Sequence, residues 1–173
     1  MKIPFILVLL AFSSIASFGQ NTIVIDSLLN KLETAQEDTI KVEILLRLFN
    51  PTVVNDLDLA YEYTEEAHRL SEKLSFDKGI AASLQRKGII WGYRGDMQKA
   101  RENYLKAIEV HQRLDHEIVA GTLIHNLGML FQEQGIYDSA IIYCERASQI
   151  FLNHQDSLKY ASSLDLLSSV HNE

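Results

Sequence analysis

Residues 84–107 read LQRKGIIWGYRGDMQKARENYLKA, and forty positions later residues 124–147 read IHNLGMLFQEQGIYDSAIIYCERA. Laid one on the other, the two stretches share Gly88/Gly128, an aromatic at Trp91/Phe131, Gly95/Gly135, Ala100/Ala140 and Ala107/Ala147. A third pair of alanines, Ala60 and Ala67, stands in the same register one period earlier. Self-similarity at a fixed period marks a stacked array, whose single unit is too small to bury its own apolar face. Arrays of this kind present extended surfaces to other molecules, which directs the functional reading to binding and away from catalysis.

Working outward, apolar residues recur at helical spacing along the rest of the chain, and no stretch alternates with a period of two. A short helix is expected from Thr22 to Thr34, followed by helical stretches at 39–53, 56–74, 77–93, 96–113, 116–133, 136–153 and 156–171. The breaks carry helix-starting chemistry at Asp38, Asn55, Asp77, Gly95-Asp96, Asp115, Gly135 and Asp156. Breaks this short join antiparallel neighbours, so the fold class expected is all-α, an α-solenoid of antiparallel helix pairs.

Small residues carry the packing argument. A glycine inside a helix costs about 1 kcal/mol relative to alanine. Gly88 and Gly128 accept that cost, so a neighbouring helix must come close there, with Ala100/Ala107 and Ala140/Ala147 leaving room for it. Trp91 and Phe131, three residues after each glycine, then share its face and are expected to fill the core between repeats.

On these residues the chain resembles the tetratricopeptide repeat family. The pattern Leu84…Gly88…Trp91…Gly95…Ala100…Tyr104…Ala107 and its copy Ile124…Gly128…Phe131…Gly135…Ala140…Cys144…Ala147 look like that family's two-helix signature. The period exceeds the usual 34 or so residues. It is similar to the longer-helix variety seen in kinesin light chains and MalT-type bacterial regulators. The resemblance covers residues 39–173 and implies a right-handed superhelix whose first helices line a concave face. Carried across, the groove positions fall on Gln85, Arg86, Ile89 and Tyr93, on His125, Asn126, Met129 and Gln132, and on Asp165 with Ser169. This mixed apolar and amide lining implies a protein or peptide partner. The family's clamp for chaperone C-termini is missing, because Gln85, Ile89, His125 and Met129 stand where it needs lysines and asparagine.

Both ends depart from the pattern. In the first copy Leu48 replaces the glycine and Pro51 the aromatic, so that helix is expected to kink or end near Asn50. The fourth copy keeps only its first helix. Either it is a cap, with Ser162, Ser163, Asp165 and Ser169 on an exposed face, or the chain continues, with its next glycine at 175.

Composition sets the surroundings. Lys2, an apolar run from Ile3 to Phe12, and Ser17-Phe18-Gly19 follow the order of a secretory signal cleaved before Gln20. An uncleaved anchor or a merely apolar N-terminus are the alternatives. The apolar run falls short of the roughly 18–20 residues that span a bilayer. The organisation expected is a signal at 1–19, a helix and linker at 20–38, and the solenoid at 39–173, exported to the periplasm with no membrane span after cleavage. The formal net charge is −7, and an acidic chain without a Lys/Arg stripe repels phosphate backbones, so no nucleic-acid partner is expected. The single cysteine, Cys144, has no internal partner and falls on an inward face.

No catalytic constellation emerges. Four residues after His116-Glu117 comes Ala120 where a zinc-protease helix needs a second histidine, and Gly88, Gly92 and Gly95 lack the Lys-Ser/Thr end of a phosphate loop. His111 and His116 straddle a break and are not expected to share a face. The expected protein is a non-enzymatic interaction scaffold with no metal and no cofactor. The alternative is the sensory region of a bacterial signalling protein, of the sensor histidine kinase or transcriptional regulator type.

Overall fold

The computed structural model describes residues 24–172, so the expected signal at 1–19 lies outside the described residues. Eight helices and no strand occur among the described residues. They are α1 (24–34), α2 (Thr39–Thr52), α3 (Leu57–Lys73), α4 (Asp77–Tyr93), α5 (Met97–Arg113), α6 (Glu117–Glu133), α7 (Tyr137–Asn153) and α8 (Ser157–His171).

The forty-residue period has a simple mechanical origin. Helices α3 to α7 are each 17 residues long, and three residues join each to the next. The middle residue of every such turn has a positive φ: Ser75 53°, Gly95 76°, Asp115 57°, Gly135 70° and Gln155 56°. These positions recur every twenty residues. At the second of them the Gly95 N–H donates to the Gly92 carbonyl and the Asp96 N–H to the Trp91 carbonyl, both at 2.9 Å. That pair of bonds is the Schellman motif, which satisfies the last carbonyls of a helix with a left-handed residue. The Asp96 carbonyl then accepts from the Ala100 N–H at 3.0 Å and opens the next helix. Two 17-residue helices and two such turns make one repeat.

This geometry moves several expected caps. The side chains of Asp38, Asp56, Asp96 and Asp156 do accept first-turn N–H groups. Asp77 is instead the first residue of α4, and Asp115 and Gly135 occupy left-handed positions. The capping positions there belong to Phe76, His116 and Ile136, whose side chains make no cap bond. Asn55 gives way to Asp56, and its amide bonds the Pro51 carbonyl at 3.2 Å. Pro51 itself lies inside α2, which runs on to Thr52. The Thr52 hydroxyl donates to the Leu48 carbonyl at 2.7 Å, supporting the turn that the proline weakens.

The six repeat alanines are fully buried. A Cβ on Gly88 would lie 2.6 Å from the Tyr104 ring, and one on Gly128 2.6 Å from Cys144 Sγ. The glycine notch therefore receives the residue midway between two alanines. Burial pushes the Cys144 thiol up to about 11. Phe131 is buried and stacks on Tyr143. Trp91 differs from expectation: it is half-buried at the rim, edge-on to Tyr61 at 5.8 Å with Lys99 Nζ 4.2 Å from its ring. Long cationic stems, rather than core side chains, cover its outer face.

Successive helices pack in antiparallel order. First helices also meet one another, α2 on α4 and α6 on α8, with no comparable contact among α3, α5 and α7. The first helices consequently line the inner side of the curve. Helix α1 seals the near end, with Leu28 buried against Ile44 and Leu48.

Candidate functional site

On the inner side, α4 and α6 part enough to leave a depression of about 310 Å³. Ile89, Gly92 and Tyr93 come from α4; Asn126, Met129, Leu130 and Glu133 come from α6; Tyr104 of α5 forms the floor. The turn geometry sets α4 and α6 parallel and one period apart, so residues of equal register face each other across the gap. Tyr93 is 67% exposed and Met129 43% exposed, a large apolar offering for an aqueous surface.

The polar groups are few. Burial raises the Tyr104 phenol to about 12, a shift opposed by the neighbouring Asn126 amide and reinforced by Tyr93 and Glu133. At neutral pH the floor therefore holds a protonated hydroxyl beside an amide, with one carboxylate at the rim. This arrangement can grip apolar side chains and hydrogen-bond a backbone, but it contains no nucleophile with an activating base.

Four expected site residues meet here: Ile89, Tyr93, Asn126 and Met129. Others are occupied inside the fold. The Arg86 guanidinium donates to the carbonyls of Leu46 and Ala82, both at 3.1 Å, and lies 5.4 Å from the Phe49 ring centre. His125 Nδ1 is 3.2 Å from Ser163 Oγ, and Gln132 Nε2 donates to Ser169 Oγ at 2.8 Å. These three tie first helices of adjacent repeats together. Gln85 is half-buried outside the depression, and Asp165 is exposed on α8, also outside it. Ser163, expected on an exposed face, is fully buried.

Sequence reasoning missed Tyr104, Gly92, Leu130 and Glu133. Glu133 was within reach, being one period from Tyr93. The Tyr104 ring both fills the Gly88 notch and floors the gap.

Two further features lie outside the depression. A broader hollow of about 450 Å³ lies along α3, with Glu62, Glu65, Glu66 and Glu72 on its walls. Its acidity is largely met within the fold by Lys87 on Glu65 at 2.9 Å and Lys41 on Glu66 at 2.8 Å. His111 near the end of α5 and His116 ahead of α6 share no helix face, yet the turn brings their Nδ1 atoms to 3.4 Å. The Schellman turn folds the residue after the helix back over its last turn. No group of three metal-ligating side chains occurs among the described residues.

Residues 79–153 match the family model described as tetratricopeptide repeat. No curated protein matches the chain. Among solved structures, the chain is similar to a Signal Transduction ATPase with Numerous Domains protein with a tetratricopeptide repeat sensor from Pyrococcus horikoshii. The TM-score is 0.81 at 18% identity, covering 91% of this chain and 24% of that one. It is similar to the apo form of RapI with a TM-score of 0.77 at 17% identity, covering 86% and 56%. A putative kinesin light chain from Podosopora anserina gives 0.73 at 15% identity, covering 90% and 79%. The chain thus spans about a quarter of the first of these proteins and about half of the second. Likeness at such identities concerns the fold alone.

Proposed function

We propose, from the premise that residues 79–153 are tetratricopeptide repeats, that the chain is an exported, non-enzymatic scaffold holding a protein or peptide partner on its concave face. The repeat fold as such is one that mediates protein–protein interaction. The observation that carries the finer reading is the depression between α4 and α6. There Ile89, Tyr93 and Met129 surround the Tyr104 hydroxyl, the Asn126 amide and the Glu133 carboxylate. Apolar anchors around a few convergent polar groups suit an extended peptide or a partner helix.

The test is a pull-down from the exported fraction with wild type and the double variant Tyr93→Ala, Met129→Ala. Both side chains are exposed, so the melting midpoint should stay unchanged while recovery of the partner falls at least about tenfold. Undiminished recovery would move the site elsewhere. Export rests on the order Lys2, apolar run, Ser17-Phe18-Gly19. N-terminal sequencing of the mature protein should begin at Gln20, and a chain retaining Met1 would end that part of the reading.

A second reading is the sensory region of a signalling protein. Its support is the neighbour from Pyrococcus horikoshii, whose own repeats are described as a sensor. Coding sequence that runs on past Glu173 with a glycine near 175 and an alanine near 180 would favour it. A stop codon followed by unrelated sequence would sink it.

A further inference from the structure

Each of the five three-residue turns brings two residues together by one backbone bond. The residue ahead of the next helix donates its N–H to a carbonyl five residues back, as Phe76 does to Ser71. This bond of the Schellman motif is frequently accompanied by a hydrophobic contact. At the turn after α5 it runs from His116 to His111 at 2.9 Å, and it sets two imidazoles opposite each other instead. The equivalent pairs at the other four turns hold at most one metal-ligating side chain each. The two Nδ1 atoms are 3.4 Å apart and the ring centres 5.6 Å. The second distance is close to the first plus two ring radii, so each Nδ1 points nearly straight at the other. Their separation exceeds the roughly 3.2 Å of a good hydrogen bond, so neither nitrogen is well satisfied by its neighbour. His111 is buried and its Nε2 has no hydrogen-bond partner, which leaves Nδ1 as the polar contact of that ring. His116 is only half-buried, so a small solute can reach the pair from its side.

We propose that His111 and His116 hold a soft monovalent metal ion, copper(I), in line between their Nδ1 atoms. Two bonds of about 2 Å in line need nitrogens about 4 Å apart, so the rings have to part by only about half an ångström. Each neutral ring can carry its proton on Nε2 and offer the Nδ1 lone pair. Imidazole suits copper, and one charge costs less to shelter from water than two. Zinc takes three or four protein ligands, and no group of three metal-ligating side chains occurs among the described residues. The bound ion clamps the end of α5 to the start of α6, the joint between the second and third repeats. The pair lies outside the depression between α4 and α6, so neither reading depends on the other.

The probe is silver(I), the air-stable analogue of copper(I), added to the full 173-residue chain with isotope-labelled histidines and followed by NMR of the ring nitrogens. One equivalent should shift Nδ1 of His111 and His116 together and raise the melting midpoint. Soft ions also favour thiolates, so the titration is repeated on Cys144→Ala, where both shifts should persist. His116 is half-buried and its side chain makes no cap bond, so His116→Gln should melt near the wild-type temperature without the ion. Its silver affinity should fall at least about tenfold, the loss that even an outer-shell partner of a metal site causes. Zinc(II) in place of silver should leave both rings unshifted. The proposal is overturned if neither ring shifts, if one moves without the other, or if His116→Gln binds as tightly as wild type. A zinc shift of both rings would equally overturn it, because the site would then hold more ligands than the two imidazoles.

Discussion

Gly88 and Tyr104 divide one volume between them. The phenol ring lies where a Cβ on the glycine would be, and it is 6% exposed. In the first repeat the same two positions hold Leu48 and Thr64, both fully buried, so the large and small partners have changed sides. Gly88→Leu alone should overpack the site by about 1–3 kcal/mol or more. Tyr104→Thr alone should leave a cavity that costs about 3–5 kcal/mol. Together they recreate the first repeat's arrangement, and the double variant should be more stable than the sum of the single losses by about 1–3 kcal/mol. Chemical denaturation of the four proteins measures this. Strict additivity would show that the two positions do not share space. The exchange also explains why the first copy is hard to recognise in the sequence: a missing glycine hides a repeat whose packing is intact.

At the scale of the element, the turn decides more than the helix. All five three-residue connections use the same pair of backbone bonds, yet only two of them place glycine at the left-handed position. Nothing lies within 4 Å of a Cβ built on Gly95, so Gly95→Ala tests backbone conformation with no packing term. It should cost about 1–2 kcal/mol. The opposite change, Gln155→Gly, relieves a left-handed side chain and should stabilise by about 0.5–1 kcal/mol after the added freedom of the unfolded chain is counted. Thermal melting of both variants checks the pair. If Gln155→Gly lowers the midpoint, the side chain earns its place through contacts rather than strain. The helices themselves were legible in the sequence because small and aromatic residues recur with the period. Their starts were less so. Aspartate signals a cap in general, but here the Schellman turn assigns the cap to whichever residue stands third, even Phe76, His116 or Ile136. The groove was half legible for a related reason. Register tells which face Arg86, His125 and Gln132 occupy, while the partners that claim them lie about forty residues away in the chain. Nothing local in the sequence announces those bonds.

For the whole molecule, cohesion depends on the joints between successive repeats, and each joint contains a sheltered imidazole. His68 Nδ1 meets Ser83 Oγ at 2.8 Å between the first and second repeats. His111 meets His116 between the second and third, and His125 meets Ser163 between the third and fourth. Burial is the main cause that lowers all three below the usual imidazole value. Lys87 adds to the effect at His68 against the opposing pull of Glu72 and Glu65, and His116 adds to it at His111. In the unfolded chain the same groups titrate near pH 6.5. Between that pH and the lower folded values the unfolded state binds more protons, so stability is full above about 6.5 and drains away as the pH falls through the folded values. The half-buried carboxylates of Asp96 and Asp156, held below their ordinary range by Lys99 and Lys159, act only at lower pH. The melting midpoint should therefore be level from about pH 7.5 to 9 and decline from about pH 7 to 5. His111→Gln, which removes one of the three proton sites without removing a hydrogen-bonding group, should flatten part of the decline while leaving the alkaline plateau near its original height. A midpoint indifferent to pH down to about 5 would mean that water reaches the joints, and that the repeats are held by their apolar faces alone.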